Sequence, residues 1–310
     1  MTDVRRYFLH LGLRAILLCG LLPFAFSASA QDKTEAALVD PIKAGQRLAT
    51  CGHSFHMFMP PILADLTRKA EINDHMQLAA SSIGGSRIIQ HWDVADEKNE
   101  VKKHLRSGKV DVLTLSPIFL PDPGIEQFVD LALEHNKEIR IVIQPIWLRF
   151  DIYEPTTPPE LRRPKTVDHD KMNGEQLRAL HEPYFKSMDE MISGLNQKHG
   201  KTVGYEVPAA QAIIALREKI IAGQAPGLKS QKDLFTDATG HGTPPLKTLV
   251  SYSNFAVIYR RSPIGLPVPE ELKRARLGDQ EEKLNKLLQE IAWAEVLRHP
   301  LSGVKAAASK

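Results

Sequence analysis

Short apolar segments alternate with amphipathic segments along most of this chain, and this alternation limits the folds open to it. The apolar segments occupy residues 47–51, 76–81, 110–115, 139–143 and 202–207. The third and fourth are rich in leucine and β-branched residues, as in strands buried on both faces. Helical patterns cover residues 58–70, 98–107, 125–136, 175–199 and 209–222. Strand–helix alternation with short connections predicts an α/β fold, with a parallel sheet of about five strands and helices on both faces.

Two segments interrupt this alternation. Residues 150–182 begin with several prolines and mixed charges, which indicate an inserted loop or cap near the end of the fourth strand. The stretch from Glu270 to Arg298 is charged and amphipathic, as expected of a helix that packs on the domain or lies in solvent. We therefore expect one domain over residues 46–268 that includes the 150–182 insertion. A C-terminal amphipathic helix and tail follow over residues 269–310.

The N-terminus has the three parts of a secretory signal. Arg5, Arg6 and Arg14 precede an apolar run over residues 15–26, and small residues follow up to Ala30. The run is shorter than the roughly 20 residues that a membrane anchor needs. A signal peptide over residues 1–30 with cleavage near Ala30 is therefore predicted, followed by a polar lead-in over residues 31–45. The mature protein is expected to be periplasmic or secreted, without a stable membrane span.

Charge and cysteine content narrow the classes of partner. Removal of three arginines and one aspartate with the signal would lower the formal charge from +3 to about +1. No basic stripe with interleaved aromatic residues is present, so nucleic acid is not an expected partner. Cys51 would be the sole cysteine left, which excludes an intramolecular disulfide. Hydrophobic residues make up 43% of the chain, enough for a packed core.

A serine follows the first predicted strand, in the sequence Gly52-His53-Ser54-Phe55. In open parallel sheets, ligands bind beyond the carboxyl ends of the strands. A glycine there allows a sharp turn, and the free N–H groups of a nearby helix N-terminus favour negative charge. Taken alone, this feature favours the common role of a helix cap for Ser54 over that of a nucleophile.

An acid and a histidine lie close together in a loop rich in glycine and proline, over residues 233–245. A serine hydroxyl becomes a good nucleophile when an imidazole takes its proton, and a carboxylate fixes the tautomer of that imidazole. Asp237 and His241 are the candidates for these two roles. The alternative is a loop histidine beside an unrelated aspartate.

A pair of glycines, Gly84 and Gly85, directly follows the second predicted strand. Glycines at a strand end let the backbone approach a substrate, and a backbone N–H there could stabilise an oxyanion. The alternative is a plain tight turn.

In this order the three features resemble the SGNH (GDSL-type) hydrolase family, and the resemblance spans residues 46 to about 265. Residues 122–128 and 261–266 also look like stretches of exported bacterial proteins of this type. The family has a three-layer, flavodoxin-like fold and hydrolyses esters, often acyl or acetyl groups on carbohydrates or lipids. The resemblance therefore implies a serine esterase acting on a small-molecule or carbohydrate ester, without a cofactor.

The same resemblance assigns a role to each candidate residue. Ser54 would be the nucleophile and the first oxyanion donor, and Gly85, or alternatively Gly84, the second. His241 would be the general base and Asp237 the residue that orients it.

The chain departs from the family pattern at two places. An oxyanion asparagine usually follows the third strand, but this sequence reads Leu115-Ser116-Pro117, so Ser116 could be a substitute donor. Three residues separate Asp237 from His241, one more than usual, and Gly240 could absorb the extra residue as a bulge. These departures favour the alternative of a non-catalytic, glycan-binding protein with a degenerate site. A third option is a scaffold that assembles through its C-terminal helix.

The remaining histidines near the predicted site are His53 and His56. We expect them to form walls of the substrate cleft rather than ligands of a metal, because neither HExxH nor CxxC is present. No metal site is therefore predicted, and the sequence does not indicate an oligomeric state.

Overall fold

Five parallel strands form the centre of the protein in the order β2-β1-β3-β4-β5. The computed structural model describes residues 41–305, so the predicted signal peptide and most of the lead-in lie outside the described residues. The strands are β1 (Arg47–Gly52), β2 (Met76–Ser82), β3 (Val112–Leu115), β4 (Arg140–Ile143) and β5 (Gly204–Glu206). This is the flavodoxin-like strand order, and the predicted α/β fold is confirmed.

Helices cover both faces of the sheet. They are α1 (Met59–Lys69), α2 (Ile88–Trp92), α3 (Glu100–Arg106), α4 (Pro123–His135), α5 (Gly174–His199), α6 (Ala209–Ile221), α7 (Pro244–Tyr259), α8 (Glu270–Lys273) and α9 (Glu281–Arg298). Helices α1, α6 and α9 pack against α7, whereas α2 and α3 pack against α4. The result is a three-layer sandwich.

The strands at the centre are apolar because helices cover both of their faces. All four residues of β3 are buried, and in β1 the side chains of Leu48, Ala49 and Cys51 are fully buried. Cys51 pairs in register with Leu115 of β3, and Gly52 pairs with Ser82 of β2. The carboxyl ends of these three strands therefore meet at one edge of the sheet.

The two irregular segments differ in detail from the prediction. Residues 150–173 form loops with short 3-10 turns, but α5 begins at Gly174, so the last part of the 150–182 insertion is regular helix. The predicted helix over residues 270–298 is two helices, α8 and α9, separated by residues 274–280. Leu284, Leu288 and Val296 of α9 are fully buried, and α9 packs against α7 as part of the domain core.

Helix α7 carries no clear amphipathic pattern in the sequence because nearly every one of its residues is buried. Its first two residues are Pro244 and Pro245. Proline suits this place because the backbone N–H groups of a first turn have no acceptor within the helix, and proline has no N–H. Among residues 41–305, no helix has both the length and the apolar character needed to cross a membrane.

Candidate active site

The turn after β1 presents Ser54 to solvent. The backbone N–H groups of His56 and Met57 both donate to the carbonyl oxygen of His53 at 2.9 Å, which closes a tight turn. Helix α1 starts only at Met59, and Phe58 is its N-cap. Ser54 therefore does not cap this helix, and its hydroxyl points instead towards the late loop of the chain.

Ser54, His241 and Asp237 form a continuous hydrogen-bonded array. Ser54 Oγ lies 2.8 Å from His241 Nε2, and His241 Nδ1 lies 2.6 Å from Asp237 Oδ2. The carboxylate fixes the tautomer, because Nδ1 must carry a proton to donate to it, which leaves Nε2 free to accept the serine proton. Residues 187 positions apart in the sequence are thus in contact at one edge of the sheet.

The loop that carries Asp237 and His241 is closed by its own backbone. Phe235 and Gly242 form an antiparallel bridge, and the N–H groups of Gly240 and His241 donate to Asp237 Oδ1 at 3.0 and 3.2 Å. Gly240 has φ +96°, a conformation that residues with a Cβ rarely adopt. This glycine lets three residues separate Asp237 from His241 while the two side chains stay in contact.

Two buried aromatic rings support the imidazole. Phe55 stacks on Trp147 with centroids 4.4 Å apart, and the ring of His241 meets Phe55 edge-on at 5.1 Å. Trp147 Nε1 donates to the carbonyl oxygen of Gly240 at 2.8 Å. The residue after the nucleophile and the chain beyond β4 therefore both position the histidine.

The acid and base of the array lie in a water-accessible place. The side chains of His241 and Asp237 are 37% and 47% exposed. Burial acts to raise the pKa of Asp237, but the hydrogen bonds from His241 and Gly240 outweigh it and hold that pKa below its usual value. Asp237 is therefore a carboxylate at neutral pH, as the orienting role requires.

The glycine loop after β2 is joined to the end of β1, two residues before Ser54. The N–H of Ile83 donates to the carbonyl oxygen of Gly52 at 3.2 Å, which joins the ends of β1 and β2. Gly84 and Gly85 are exposed, and Gly85 has φ +64°. Within residues 41–305, the backbone N–H groups of Ser54, Gly84 and Gly85 have no hydrogen-bond acceptor. These are the donors that an oxyanion could use.

Ser116 does not fit the predicted role of a third oxyanion donor. Its side chain is fully buried, its hydroxyl donates to the carbonyl oxygen of Gln144 at 3.0 Å, and its N–H donates to Cys51 at 3.2 Å. Both donors are already used to join neighbouring strand ends. We therefore withdraw Ser116 from the predicted site.

His53 and His56 lie below the surface rather than on a cleft wall. His56 is fully buried, with Nδ1 2.9 Å from Gln144 Oε1 and Nε2 3.1 Å from Thr114 Oγ1, and burial lowers its pKa to about 4. His53 accepts a hydrogen bond from the N–H of Phe55, and burial lowers its pKa to about 3. Both rings are neutral structural groups, because desolvation disfavours the imidazolium.

Gln144 is a supporting residue that the sequence did not reveal. This buried side chain donates to the carbonyl oxygen of Phe55 at 3.0 Å and accepts from Asn254 at 2.9 Å. It thereby joins the nucleophile turn to β4 and α7. A lone polar residue at the end of an apolar strand was the only sequence signal of this role.

His91 supports the glycine loop in the same way. Its two ring nitrogens lie 2.7 Å from the hydroxyls of Ser81 and Ser86, which flank residues 82–85. His91 is fully buried, and burial lowers its pKa to about 4. The ends of the loop are therefore fixed while its two glycines remain exposed.

The 150–182 insertion is attached to the loop of the candidate acid. Arg217 of α6 binds Asp151 through both guanidinium nitrogens at 2.7 and 2.9 Å, and both side chains are nearly inaccessible to solvent. His169 lies 2.9 Å from Asp151 Oδ2 and 3.3 Å from the carbonyl oxygen of Asp237. The insertion therefore packs beside the Asp237 loop.

Comparison with known proteins does not identify a family for this chain. No protein-family model and no curated protein sequence matches this chain. Among solved structures, the chain is similar to WcbI, described as a polysaccharide biosynthesis enzyme, at 14% sequence identity and a TM-score of 0.36. The match covers 84% of this chain and 97% of that chain. At this similarity the comparison carries no argument about function, and the SGNH resemblance remains a prediction from motifs.

The structure thus brings together three of the residues singled out in the sequence, Ser54, Asp237 and His241, and places Gly84 and Gly85 just after the strand that pairs with β1. A hydroxyl, a base, an orienting acid and free backbone donors in one place suit acyl transfer through a serine nucleophile.

Proposed function

We propose that this protein is an exported serine hydrolase that cleaves esters through an acyl-enzyme on Ser54. The observation that carries the proposal is the array Ser54–His241–Asp237, with contacts of 2.8 and 2.6 Å. Such an array activates a serine hydroxyl, because the imidazole accepts its proton and the carboxylate stabilises the imidazolium.

The first half of the proposed reaction is acylation. His241 Nε2 takes the hydroxyl proton as Ser54 Oγ attacks the ester carbonyl carbon. The N–H groups of Ser54 and Gly85 receive the oxyanion, with Gly84 as the alternative to Gly85. His241 then gives the proton to the departing alcohol, and the acyl group remains on Ser54.

Deacylation repeats these steps with water as the nucleophile. His241 takes a proton from water, the hydroxide attacks the acyl carbon, and the carboxylic acid leaves as Ser54 recovers its proton. Because Ser116 is fully occupied, the proposed oxyanion hole consists of backbone donors alone. Each missing donor of this kind typically lowers the rate by about 10²–10³, so we expect a modest turnover number.

An acyl or acetyl ester on a carbohydrate is the substrate class that we propose. The exposure of the His241 and Asp237 side chains, 37% and 47%, is compatible with a bulky alcohol that remains largely in solvent. Export to the periplasm or beyond, proposed from residues 1–30, would give the protein access to such surface glycans.

A fluorophosphonate probe tests the proposal directly. The purified exported protein should gain the mass of one adduct on the peptide that contains Ser54 and should hydrolyse a p-nitrophenyl acetate reporter. Ser54→Ala should lose both properties. Ser82→Ala, which changes an exposed serine at the end of neighbouring β2, is the matched control and should keep both.

An absence of adduct on folded protein would contradict the proposal. The glycan-binding alternative would then predict that the protein binds an acetylated oligosaccharide without hydrolysing it. The wild type and Ser54→Ala should bind this oligosaccharide equally well.

A further inference from the structure

Three side chains with metal-binding chemistry meet at the edge of the sheet formed by β5. Asp189 comes from α5, Glu206 is the last residue of β5, and His299 directly follows α9. None of them belongs to the Ser54 array. Their possible ligand atoms, one from each residue, all lie within 4.8 Å of one another.

The separations between these atoms suit one small cation. His299 Nε2 lies 3.2 Å from Glu206 Oε1 and 3.6 Å from Asp189 Oδ1. Zinc binds imidazole nitrogen and carboxylate oxygen at about 2.0–2.2 Å, so two ligands of a tetrahedral site lie about 3.3–3.5 Å apart. The two separations from His299 Nε2 are close to this value, and the two carboxylates lie within 4.8 Å of each other.

The cluster holds more acceptors than donors. Glu206 Oε2, Asp189 Oδ1 and Gln211 Oε1 are buried atoms without a hydrogen-bond partner within residues 41–305. Glu206 is fully buried, and an unpaired buried carboxylate oxygen is costly. Gln211 Nε2 donates to Glu206 Oε1 at 3.3 Å, so this amide borders the cluster, and a flip of the amide would turn its oxygen towards the same ligand atoms. His299 offers these carboxylates a single ring N–H, at Nε2, so a bound cation would satisfy the acceptors that remain.

We propose that Asp189, Glu206 and His299 bind one divalent cation, Zn²⁺ or Mn²⁺, with Gln211 Oε1 as a further ligand. Imidazole nitrogen and carboxylate oxygen together suit these ions. A surface cavity of about 430 Å³ lined by Asp189, Gln211 and His299 gives the ion access from solvent.

Binding requires two local rearrangements, a flip of the Gln211 amide and a change of hydrogen bonding at His299. His299 Nδ1 accepts a hydrogen bond from the N–H of Leu301 at 3.3 Å, but a metal on Nε2 needs the ring proton on Nδ1. This long contact must open when the ion binds. The carbonyl oxygen of Leu301 meanwhile accepts from the N–H of Glu206 at 2.9 Å, so the segment stays attached to β5. The ion would therefore join α5, β5 and the chain after α9.

Calorimetric titration of the full, tag-free protein tests this site after treatment with EDTA and dialysis. Zn²⁺ or Mn²⁺ should bind at one ion per chain with micromolar or tighter affinity, and saturation should raise the Tm by about 5 °C. Glu206→Gln and Asp189→Asn should each weaken binding at least about 100-fold. His135→Gln, which removes an exposed histidine at the end of α4, is the control and should bind like the wild type.

Lack of saturable binding by either ion would overturn the proposal, as would unchanged affinity in both carboxylate variants. If Glu206→Gln fails to fold, Asp189→Asn decides the outcome, because the Asp189 side chain is 43% exposed. The Ser54 adduct and the metal titration are separate measurements, so failure of one proposal leaves the other standing.

Discussion

Trp147 Nε1 donates a hydrogen bond to the carbonyl oxygen of Gly240, and this 2.8 Å contact joins the chain beyond β4 to the loop of Asp237 and His241. The same indole stacks on Phe55, which is adjacent to Ser54 in sequence and meets His241 edge-on. One buried side chain therefore positions the proposed base relative to the proposed nucleophile.

Trp147→Phe should keep the stack on Phe55 and lose the hydrogen bond to Gly240. Loss of one such hydrogen bond typically lowers the free energy of unfolding by about 1 kcal/mol. The looser loop should also lower kcat several-fold with little change in KM. Chemical denaturation and ester kinetics measure the two effects. Trp92→Phe is the matched control, because Trp92 packs against Phe128 away from the array and should affect stability alone. A rise in KM without a fall in kcat would contradict the positioning role.

Asp237→Asn should lower kcat by about 10²–10⁴, because the amide no longer fixes the proton-accepting tautomer of His241. Asp233→Asn is the comparison, since Asp233 accepts hydrogen bonds from the N–H groups of Lys229 and Ser230 and has no contact with His241. It should destabilise its local turn and leave kcat near the wild-type value. Equal kinetic losses in both variants, measured on folded protein, would remove Asp237 from the array.

Gly85→Ala should reduce activity more than Gly84→Ala. Gly85 has φ +64°, a conformation that costs alanine about 1–2 kcal/mol, whereas the backbone of Gly84 is not left-handed. A Cβ at either position meets no atom within 4 Å, so steric overlap does not separate the two variants. If this strain moves the backbone N–H of residue 85 away from the oxyanion, kcat should fall by up to about 10²–10³. Similar kcat values for both would argue against Gly85 as the donor.

Asp151→Asn should destabilise the protein strongly at neutral pH. Burial acts to raise the pKa of Asp151, but the hydrogen bonds and charges of His169 and Arg217 outweigh it and lower that pKa. The variant leaves the buried Arg217 guanidinium uncompensated, at a cost of about 3–5 kcal/mol. Because the folded pKa lies below the unfolded one, this stabilisation is present above about pH 4 and disappears as the pH falls through the folded pKa.

The difference in unfolding free energy between wild type and Asp151→Asn should therefore narrow below about pH 4 in denaturant titrations. Asp130→Asn is the control, since Asp130 pairs with Lys198 on the surface and is 50% exposed. Asp130→Asn should lower the free energy of unfolding by only about 0–1 kcal/mol. A difference for Asp151→Asn that stays constant from pH 7 to pH 3 would contradict the ionic account.

The sheet could be predicted from sequence because each central strand carries its own local signal. The residues of β3 and β4 form short buried runs of leucine and β-branched residues, which are recognisable without knowledge of their partners. Helix α7 gave no such signal, because a helix buried on all sides lacks the apolar stripe on which periodicity depends.

The position of Ser54 at the sheet edge could be predicted for a similar reason. Parallel strands end at one edge of a sheet, so a serine after β1 and glycines after β2 must lie close together. The burial of His53, His56 and Ser116 could not be predicted from sequence. For His56 and Ser116 it depends on contacts with Gln144 and Thr114, which are distant in sequence. For His53 it depends on the turn geometry that brings the ring to the N–H of Phe55. The cluster of Asp189, Glu206 and His299 was missed for the same reason, because its spacing matches no local metal motif.

Cys51 lies fully buried in β1, and burial raises the pKa of its thiol, so the fold disfavours the thiolate needed for alkylation, oxidation or disulfide exchange. Among residues 41–305 it is the sole sulfhydryl. The native fold should therefore tolerate both reducing and oxidising buffers equally. Thiol-directed reagents should therefore leave residues 41–305 unlabelled until the protein is unfolded.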